Sequence, residues 1–106
     1  MSKMLGNLMK QAQKMQEQVA QLQKELANRT VEATAGGGMV KVVANGNQQV
    51  ISVKIDPTVV DPAEIEMVED LVVAAVNEAL RKAQEMTAAE VSRLTGGMKI
   101  PGLFGA

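Results

Sequence analysis

The sequence of 106 residues contains no cysteine, histidine, tryptophan or tyrosine, and its single aromatic residue is Phe104. Without cysteine and histidine, the chain cannot build a disulfide framework or a zinc site of the Cys/His type. Nucleophilic triads and histidine bases are excluded for the same reason, and none of the three serines has a neighbour that would activate it. We therefore predict a protein that is not an enzyme and that has no catalytic residue, no bound metal and no cofactor.

Long apolar segments are absent as well. No run approaches the roughly 18 apolar residues that a membrane-spanning helix needs. Lys10, Gln11 and Gln13 interrupt the N-terminal segment, where a signal peptide would have its apolar core. We therefore expect a cytoplasmic protein that engages neither a membrane nor a small-molecule substrate.

The near absence of aromatic residues also limits the core. Aromatic side chains make the largest individual contributions to packing, and a chain of 106 residues is close to the size at which one core becomes marginal. A core of Met, Leu, Val and Ala is therefore expected to gain stability by oligomerisation. We predict a homodimer.

An apolar residue recurs about every 3.5 positions in the first 28 residues. This is the period of a helix that packs along another helix, and the apolar seam is narrower than the face that a globular core buries. The pattern predicts a helix from Ser2 or Lys3 to near Asn28. Seven residues are expected to form the helix-packing and dimer seam, namely Leu5, Leu8, Ala12, Met15, Val19, Leu22 and Leu26.

Three strands are predicted after this helix, because apolar and polar residues then alternate with a period of two. The strand segments are residues 29–35, 39–44 and 49–56. Three glycines at 36–38 predict a turn after the first strand, and Asn45-Gly46 predicts a tight hairpin after the second. The last strand is expected to place three apolar residues on one face, namely Ile51, Val53 and Ile55.

A second long helix is predicted to begin near Asp61, which can act as the N-cap. Pro62 suits the first helical position, and Glu64 is expected to complete a capping box. The acidic residues in the first turns match the positive end of the helix dipole and lack the spacing of a calcium loop, so we predict no metal there. The apolar stripe comprises Ile65, Val68, Val72, Ala75, Ala79, Ala83 and Met86.

The end of this helix leaves two possibilities open. Residues 87–90 could start a new helix, so a continuous helix and a break near Met86 are both compatible with the sequence. Gly96-Gly97 is expected to end the helix. Residues 98–106 are expected to form a flexible tail.

The predicted element order is α-β-β-β-α, an α+β fold with a three-stranded antiparallel meander and two long helices. Helices of about 26 and 33 residues are much longer than strands of about six residues, so they must overhang the sheet. Overhanging apolar seams require a second copy to cover them. We therefore expect a single domain over residues 1–97 that forms a homodimer with projecting helical arms.

The charges are segregated along the chain, although the net charge is only −1. Residues 1–29 contain five basic and two acidic residues, whereas residues 61–70 contain five acidic residues and no basic one. Lys3, Lys10 and Lys14 lie on the polar side of the first helix, where they could contact phosphates. A plain solvated helix face is the alternative.

A second group of basic residues could extend this surface if the helix ends lie together. The group comprises Arg81, Lys82, Arg93 and Lys99. Glu78, Glu85 and Glu90 are interleaved with these residues, which favours a salt-bridged face for this group.

Four segments in the same order resemble the YbaB/EbfC family of bacterial nucleoid-associated proteins, namely residues 6–16, 40–46, 53–57 and 69–79. The resemblance extends from about Met4 to Gly97. It implies a homodimer with a three-stranded sheet and two helices per subunit, and DNA binding by protruding helices in a tweezer-like dimer. It also implies a role in organising the nucleoid and in gene expression.

The residue types indicate how DNA would be bound. With Phe104 as its single aromatic residue, the chain has no series of aromatic side chains on which single-stranded bases could stack. Lysine acts as a point charge rather than a bidentate reader of bases. Duplex binding through phosphates with weak sequence preference is therefore expected. Asn7, Gln11 and Gln13 could touch base edges, but they are also common on solvated helix surfaces.

A second class of function remains open. The chain is net acidic, and composition alone favours a non-enzymatic protein-interaction adaptor built on a coiled-coil-like dimer. Binding to unrelated duplexes at increasing salt concentration distinguishes the adaptor from a DNA-binding protein.

Overall fold

The computed structural model describes residues 2–94. It confirms the α+β class and the predicted order, with three antiparallel strands in the order β1-β2-β3. The elements are α1 (Ser2–Asn28), β1 (Thr30–Ala35), β2 (Val40–Asn45), β3 (Val50–Ile55) and α2 (Ile65–Leu94), with single 3-10 turns at Pro57–Val59 and Pro62–Glu64. The expected helix end at 96–97 and the expected flexible tail at 98–106 lie outside the described residues.

The core lies between α2 and one face of β1 and β2. Ala75, Ala79 and Ala83 recur every four residues and are completely buried against the sheet. Because these side chains are small, α2 packs close to the sheet, and the core closes without aromatic residues. On the sheet side, the buried residues are Ala33, Val40, Val42 and Ala44.

Most of the predicted α2 stripe is confirmed. Val68 is also buried, and Val72 and Met86 are half-buried, but Ile65 is exposed. Ile65 is the first residue of α2, and burial starts one turn later at Val68. The helix is continuous through Met86, so the break that the sequence left open does not occur.

Two aspartates cap the connection between β3 and α2. Asp61 Oδ1 accepts a hydrogen bond from the Ala63 amide at 3.0 Å, as predicted for the N-cap. The predicted capping box with Glu64 is wrong, because the Asp61 amide donates to the Val59 carbonyl instead. Asp56 caps the preceding turn in the same way, and hydrogen bonds from the amide and hydroxyl of Thr58 lower the pKa of its carboxyl.

The turn between β1 and β2 requires glycine at three successive positions. Gly36, Gly37 and Gly38 have φ angles of 64°, 69° and 97°. Residues with a Cβ atom rarely adopt these angles. The predicted turn is therefore confirmed, and its conformation accounts for the glycine triplet.

The hairpin predicted at Asn45-Gly46 forms, but the turn differs from the prediction. Asn45 belongs to β2, the connection extends over residues 46–49, and the residue with positive φ is Gln48 rather than Gly46. A Cβ atom on Gly46 would lie 2.9 Å from Leu26 Cδ2 and 3.0 Å from the Leu26 carbonyl oxygen. Glycine is therefore needed here because α1 approaches the hairpin closely.

β3 carries apolar side chains that α2 leaves uncovered. Val53 and Ile55 pair with buried valines of β2, and a shift in register places Val50 opposite the buried Ala44. Alternation predicted that Ile51 shares a face with Val53 and Ile55. In the structure Val50 takes this position, because Ile51 is the extra residue of a β-bulge. All four apolar residues are exposed, with fractions from 38% at Ile55 to 56% at Ile51, because α2 lies over β1 and β2.

The close approach at Gly46 leads to a stability prediction. Gly46→Ala should lower the free energy of unfolding by about 1–3 kcal/mol, because the new methyl group overlaps the backbone of α1. Chemical unfolding followed by circular dichroism at fixed protein concentration measures this effect.

Gly6→Ala is the matched control, because nothing lies within 4 Å of a Cβ atom at Gly6. In the interior of α1 this change should stabilise the protein by up to about 1 kcal/mol. Equal effects of the two substitutions would contradict the importance of the Gly46 contact.

Candidate nucleic-acid interface

The C-terminal end of α1 is tied to the β2–β3 hairpin. The Gly46 amide donates to the carbonyls of Leu26 and Arg29 at 2.9 and 3.0 Å. The Asn45 side-chain amide donates to the Ala27 carbonyl at 3.3 Å. The bonds to Leu26 and Ala27 satisfy carbonyls that the end of a helix leaves free. Together the three bonds determine the direction in which α1 leaves the sheet.

α2 contributes to the same junction. The Thr87 hydroxyl donates to the Gly46 carbonyl, and Glu90 forms ion pairs with both Arg29 and Arg93. The contact of Arg29 with Glu90 has no signal in the sequence, because the two residues are 61 positions apart and no local pattern connects them.

The distal part of α1, residues 2–18, lies outside the core. Every residue in this segment is exposed. The longest dimension of the molecule is 73 Å, whereas the 30 residues of α2 account for only about 45 Å. The distal part of α1 therefore extends the molecule well beyond its sheet.

The predicted apolar seam of α1 divides into two parts. Leu26 is buried and Val19 and Leu22 are half-buried beside a cleft of about 330 Å³ that Val91 of α2 also lines. The other four residues, which we call the distal seam, are exposed, and they are Leu5, Leu8, Ala12 and Met15. The distal seam therefore has no cover within the described residues.

Lys3, Lys10 and Lys14 are all exposed on the distal part of α1. With a helical advance of about 100° per residue, their positions fall on the side away from the distal seam. The ion pairs among the described residues include none of the three lysines. Their charges are therefore available to an anionic partner.

The second predicted basic group has partners within the protein. Arg81 makes a bidentate pair with Glu78, with nitrogen–oxygen distances of 2.6 and 3.0 Å, and also binds Glu85. The pair raises the pKa of the Arg81 guanidinium above its usual value, and the hydrogen bond from Arg81 lowers the pKa of Glu78. Lys82 Nζ donates to the Glu32 carbonyl at 3.0 Å.

Arg93 completes this group, and it pairs with Glu90 at 2.6 Å. The structure therefore places the two predicted basic groups in different surroundings. Lys3, Lys10 and Lys14 are exposed on α1 and form no ion pair among the described residues. The basic residues of α2 are bound to carboxylates and to the carbonyl of a strand residue. Lys99 lies outside the described residues.

Neither a metal cluster nor a membrane span occurs in the described part of the chain. Over residues 2–94, no three acidic side chains converge in a way that would hold an ion. No helix in that range combines the length and apolar character needed to cross a bilayer.

Comparisons with known proteins identify the family. The model of the YbaB/EbfC DNA-binding family matches residues 1–98. A nucleoid-associated protein of Pelotomaculum thermopropionicum is 58% identical over 100 residues, covering 94% of this chain and 95% of that protein. A nucleoid-associated protein of Syntrophobacter fumaroxidans is 59% identical over 97 residues, covering 92% of this chain and 88% of that one.

A solved structure shares the fold. The crystal structure of an uncharacterized protein from Helicobacter pylori superposes with a TM-score of 0.71 at 22% identity, covering 86% of this chain and 92% of that chain. The family match over nearly the whole sequence and the identity to the two relatives show that the chain belongs to the YbaB/EbfC DNA-binding family.

Proposed function

We propose that this protein binds duplex DNA in the bacterial nucleoid as a homodimer, mainly through phosphate contacts and with weak sequence preference. In this role it organises the nucleoid and modulates gene expression. The family description and the names of the relatives support nucleoid DNA binding. The chain's own residues support the phosphate contacts and the dimer, and the resemblance to the family supports the effect on gene expression.

The observation that carries the phosphate mechanism is the contrast between the two basic groups. Lys3, Lys10 and Lys14 have no carboxylate partner among the described residues, so binding DNA would break no ion pair. Arg81 would first have to lose its ion pairs with Glu78 and Glu85. Releasing counterions from DNA is the main source of affinity in such a complex, so the unpaired lysines are the better contacts.

Lysine charges on an exposed helix also favour weak sequence preference. An ammonium group contacts any phosphate oxygen and does not distinguish bases. Contacts repeated on two subunits would add their small individual energies. The dimer therefore supplies affinity that three lysines alone would not.

The exposed apolar residues of β3 support the homodimer. Val50, Ile51, Val53 and Ile55 lie on the sheet beside α2, whose Val73 is also exposed. A second copy placed over this surface would bury side chains worth on the order of 1 kcal/mol each. An isolated subunit would leave the same surface in water, which is unfavourable for a small domain.

A charge placed on this surface tests the dimer. We expect sedimentation equilibrium of the parent protein to give about twice the chain mass of 11.3 kDa. Val53→Asp should weaken dimerisation by at least about a hundredfold, because an unpaired carboxylate would be buried.

Lys54→Asp is the control, because Lys54 is next to Val53 on the opposite face of the same strand. It should leave dimerisation nearly unchanged. A parent protein that sediments as a monomer would refute the dimer, and equal effects of the two variants would place the interface elsewhere.

The lysines are tested by replacing Lys3, Lys10 and Lys14 together with Gln, which preserves helix propensity. The variant should still fold and dimerise, but its DNA affinity should decrease. The slope of log affinity against log salt should flatten by about 0.9 for each phosphate that the variant no longer binds. Fluorescence anisotropy with several unrelated duplexes at increasing salt measures both quantities.

The matched control replaces Arg81, Lys82 and Arg93 with Gln, which removes the same number of charges from α2. We expect a smaller loss of affinity, because these charges are already engaged. A larger loss would move the DNA contact to α2. If the parent protein does not bind duplexes in a salt-dependent way, DNA binding is refuted and the adaptor function becomes the better explanation.

A further inference from the structure

Asn45-Gly46 is the only place in the chain where glycine follows asparagine. Such a pair is chemically reactive, because glycine has no side chain to shield its amide nitrogen from the neighbouring carboxamide. The Gly46 nitrogen can attack Asn45 Cγ and form a cyclic succinimide, while the Cγ–Nδ2 bond breaks and the nitrogen's proton leaves with the ammonia. Water then opens the ring to aspartate or isoaspartate. The chemistry of the pair therefore allows spontaneous deamidation.

The side chain of Asn45 uses all of its hydrogen-bonding capacity in the folded protein. Its nitrogen donates to the Ala27 carbonyl at 3.3 Å and to Gln49 Oε1 at 2.9 Å. Its oxygen accepts from the amides of Asn47 and Gln49 at 3.0 and 3.1 Å. These bonds match the two donors and two acceptor sites of a carboxamide, and the residue is only 2% exposed. The carboxamide therefore cannot turn toward Gly46 without losing several of them.

The attacking nitrogen is held as firmly as the group that it would attack. The Gly46 amide donates to the carbonyls of Leu26 and Arg29 at 2.9 and 3.0 Å. Succinimide formation removes the amide proton, and a proton bound by two carbonyl oxygens is harder to remove. On the other side of the residue, the Thr87 hydroxyl of α2 donates to the Gly46 carbonyl. Contacts from both helices therefore immobilise the reacting atoms.

We propose that Asn45-Gly46 is a deamidation site that the packing of α1 and α2 against the β2–β3 hairpin keeps closed. The reaction proceeds in molecules in which this junction has opened locally, so its rate follows the fraction of open molecules. Water is the only co-reactant. Neither DNA binding nor the homodimer is needed for this reaction.

The product of deamidation does not fit the closed junction. A carboxylate at position 45 cannot donate to the Ala27 carbonyl and Gln49 Oε1, and it places a negative charge beside both oxygens. Isoaspartate lengthens the backbone where a Cβ atom on Gly46 would already lie 2.9 Å from Leu26 Cδ2. Deamidation therefore converts a transient opening into a lasting release of α1 from the hairpin.

The rates of deamidation in folded and unfolded protein test the closed site. Both samples are incubated in the same mildly alkaline buffer, one of them with guanidinium chloride. The tryptic peptide of residues 42–54 is then analysed by mass spectrometry, with fragmentation to separate Asn45 from Asn47. Asn45 should react at least about a hundredfold more slowly in the folded protein, because opening the junction breaks several hydrogen bonds together. Equal rates would overturn the proposal.

A substitution in α2 tests whether local opening controls the reaction. Thr87→Val removes the hydroxyl that binds Gly46 and should raise the rate in the folded protein at least about threefold. Thr58→Val is the matched control, since its hydroxyl binds Asp56 at 2.8 Å and is not part of the junction. The control should leave the rate unchanged. Rates that follow the global free energy of unfolding alone, measured on the same variants, would overturn the proposal.

The release of α1 is tested with Asn45→Asp, which reproduces the aspartate product. Exchange of the Gly46 amide hydrogen, followed by NMR, should be at least about tenfold faster than in the parent protein. Asn77→Asp adds the same charge at an exposed position of α2 and should leave this exchange unchanged. Unchanged exchange in the Asn45→Asp variant would overturn the release. If that variant does not fold, the rates in the unsubstituted protein still decide whether the site is closed.

Discussion

The structure depends on the close approach of three elements at Gly46. The amide of this residue binds the end of α1, its carbonyl accepts a hydrogen bond from Thr87 of α2, and a Cβ atom would overlap Leu26. Because the contact is mostly between backbone groups, it is short and directional. It determines where the long free helix points relative to the sheet, and hence where its lysines lie.

The alanine stripe of α2 has a comparable effect on the other side of the sheet. Ala75, Ala79 and Ala83 allow the helix to lie close to β1 and β2. A helix this close covers only part of a three-stranded sheet, so the apolar residues of β3 stay in solvent. The three alanines thus close the core of one chain, and the close position of α2 leaves exposed the surface that we assign to the dimer interface.

The two basic groups illustrate how the surroundings of a charged side chain affect its availability to an anionic partner. Arg81 and Arg93 are held by glutamates one helical turn away, and such pairs are weak on an exposed surface but compete with any other anion. Lys3, Lys10 and Lys14 of α1 form no ion pair of this kind among the described residues. Protonation would weaken the Arg81–Glu78 pair only at acidic pH, because the pair lowers the pKa of Glu78.

Local sequence patterns were sufficient to predict the order of elements, their approximate limits and the polar and apolar sides of both helices. These features follow from local periodicity and from local signals such as the three glycines at 36–38 and the cap at Asp61. The candidate lysines could be named in the same way, because their exposure follows from their position on an amphipathic helix.

Other features depend on contacts between distant residues, and these could not be predicted from local patterns. The role of Gly46 as a contact point rather than a turn glycine, the bulge at Ile51 and the link of Arg29 to Glu90 all involve elements that are far apart in the chain. The division of the α1 seam at Val19 has the same origin. Local sequence patterns give no information on the distance between two packed elements. This distance determines which apolar residues are covered and which remain available for binding.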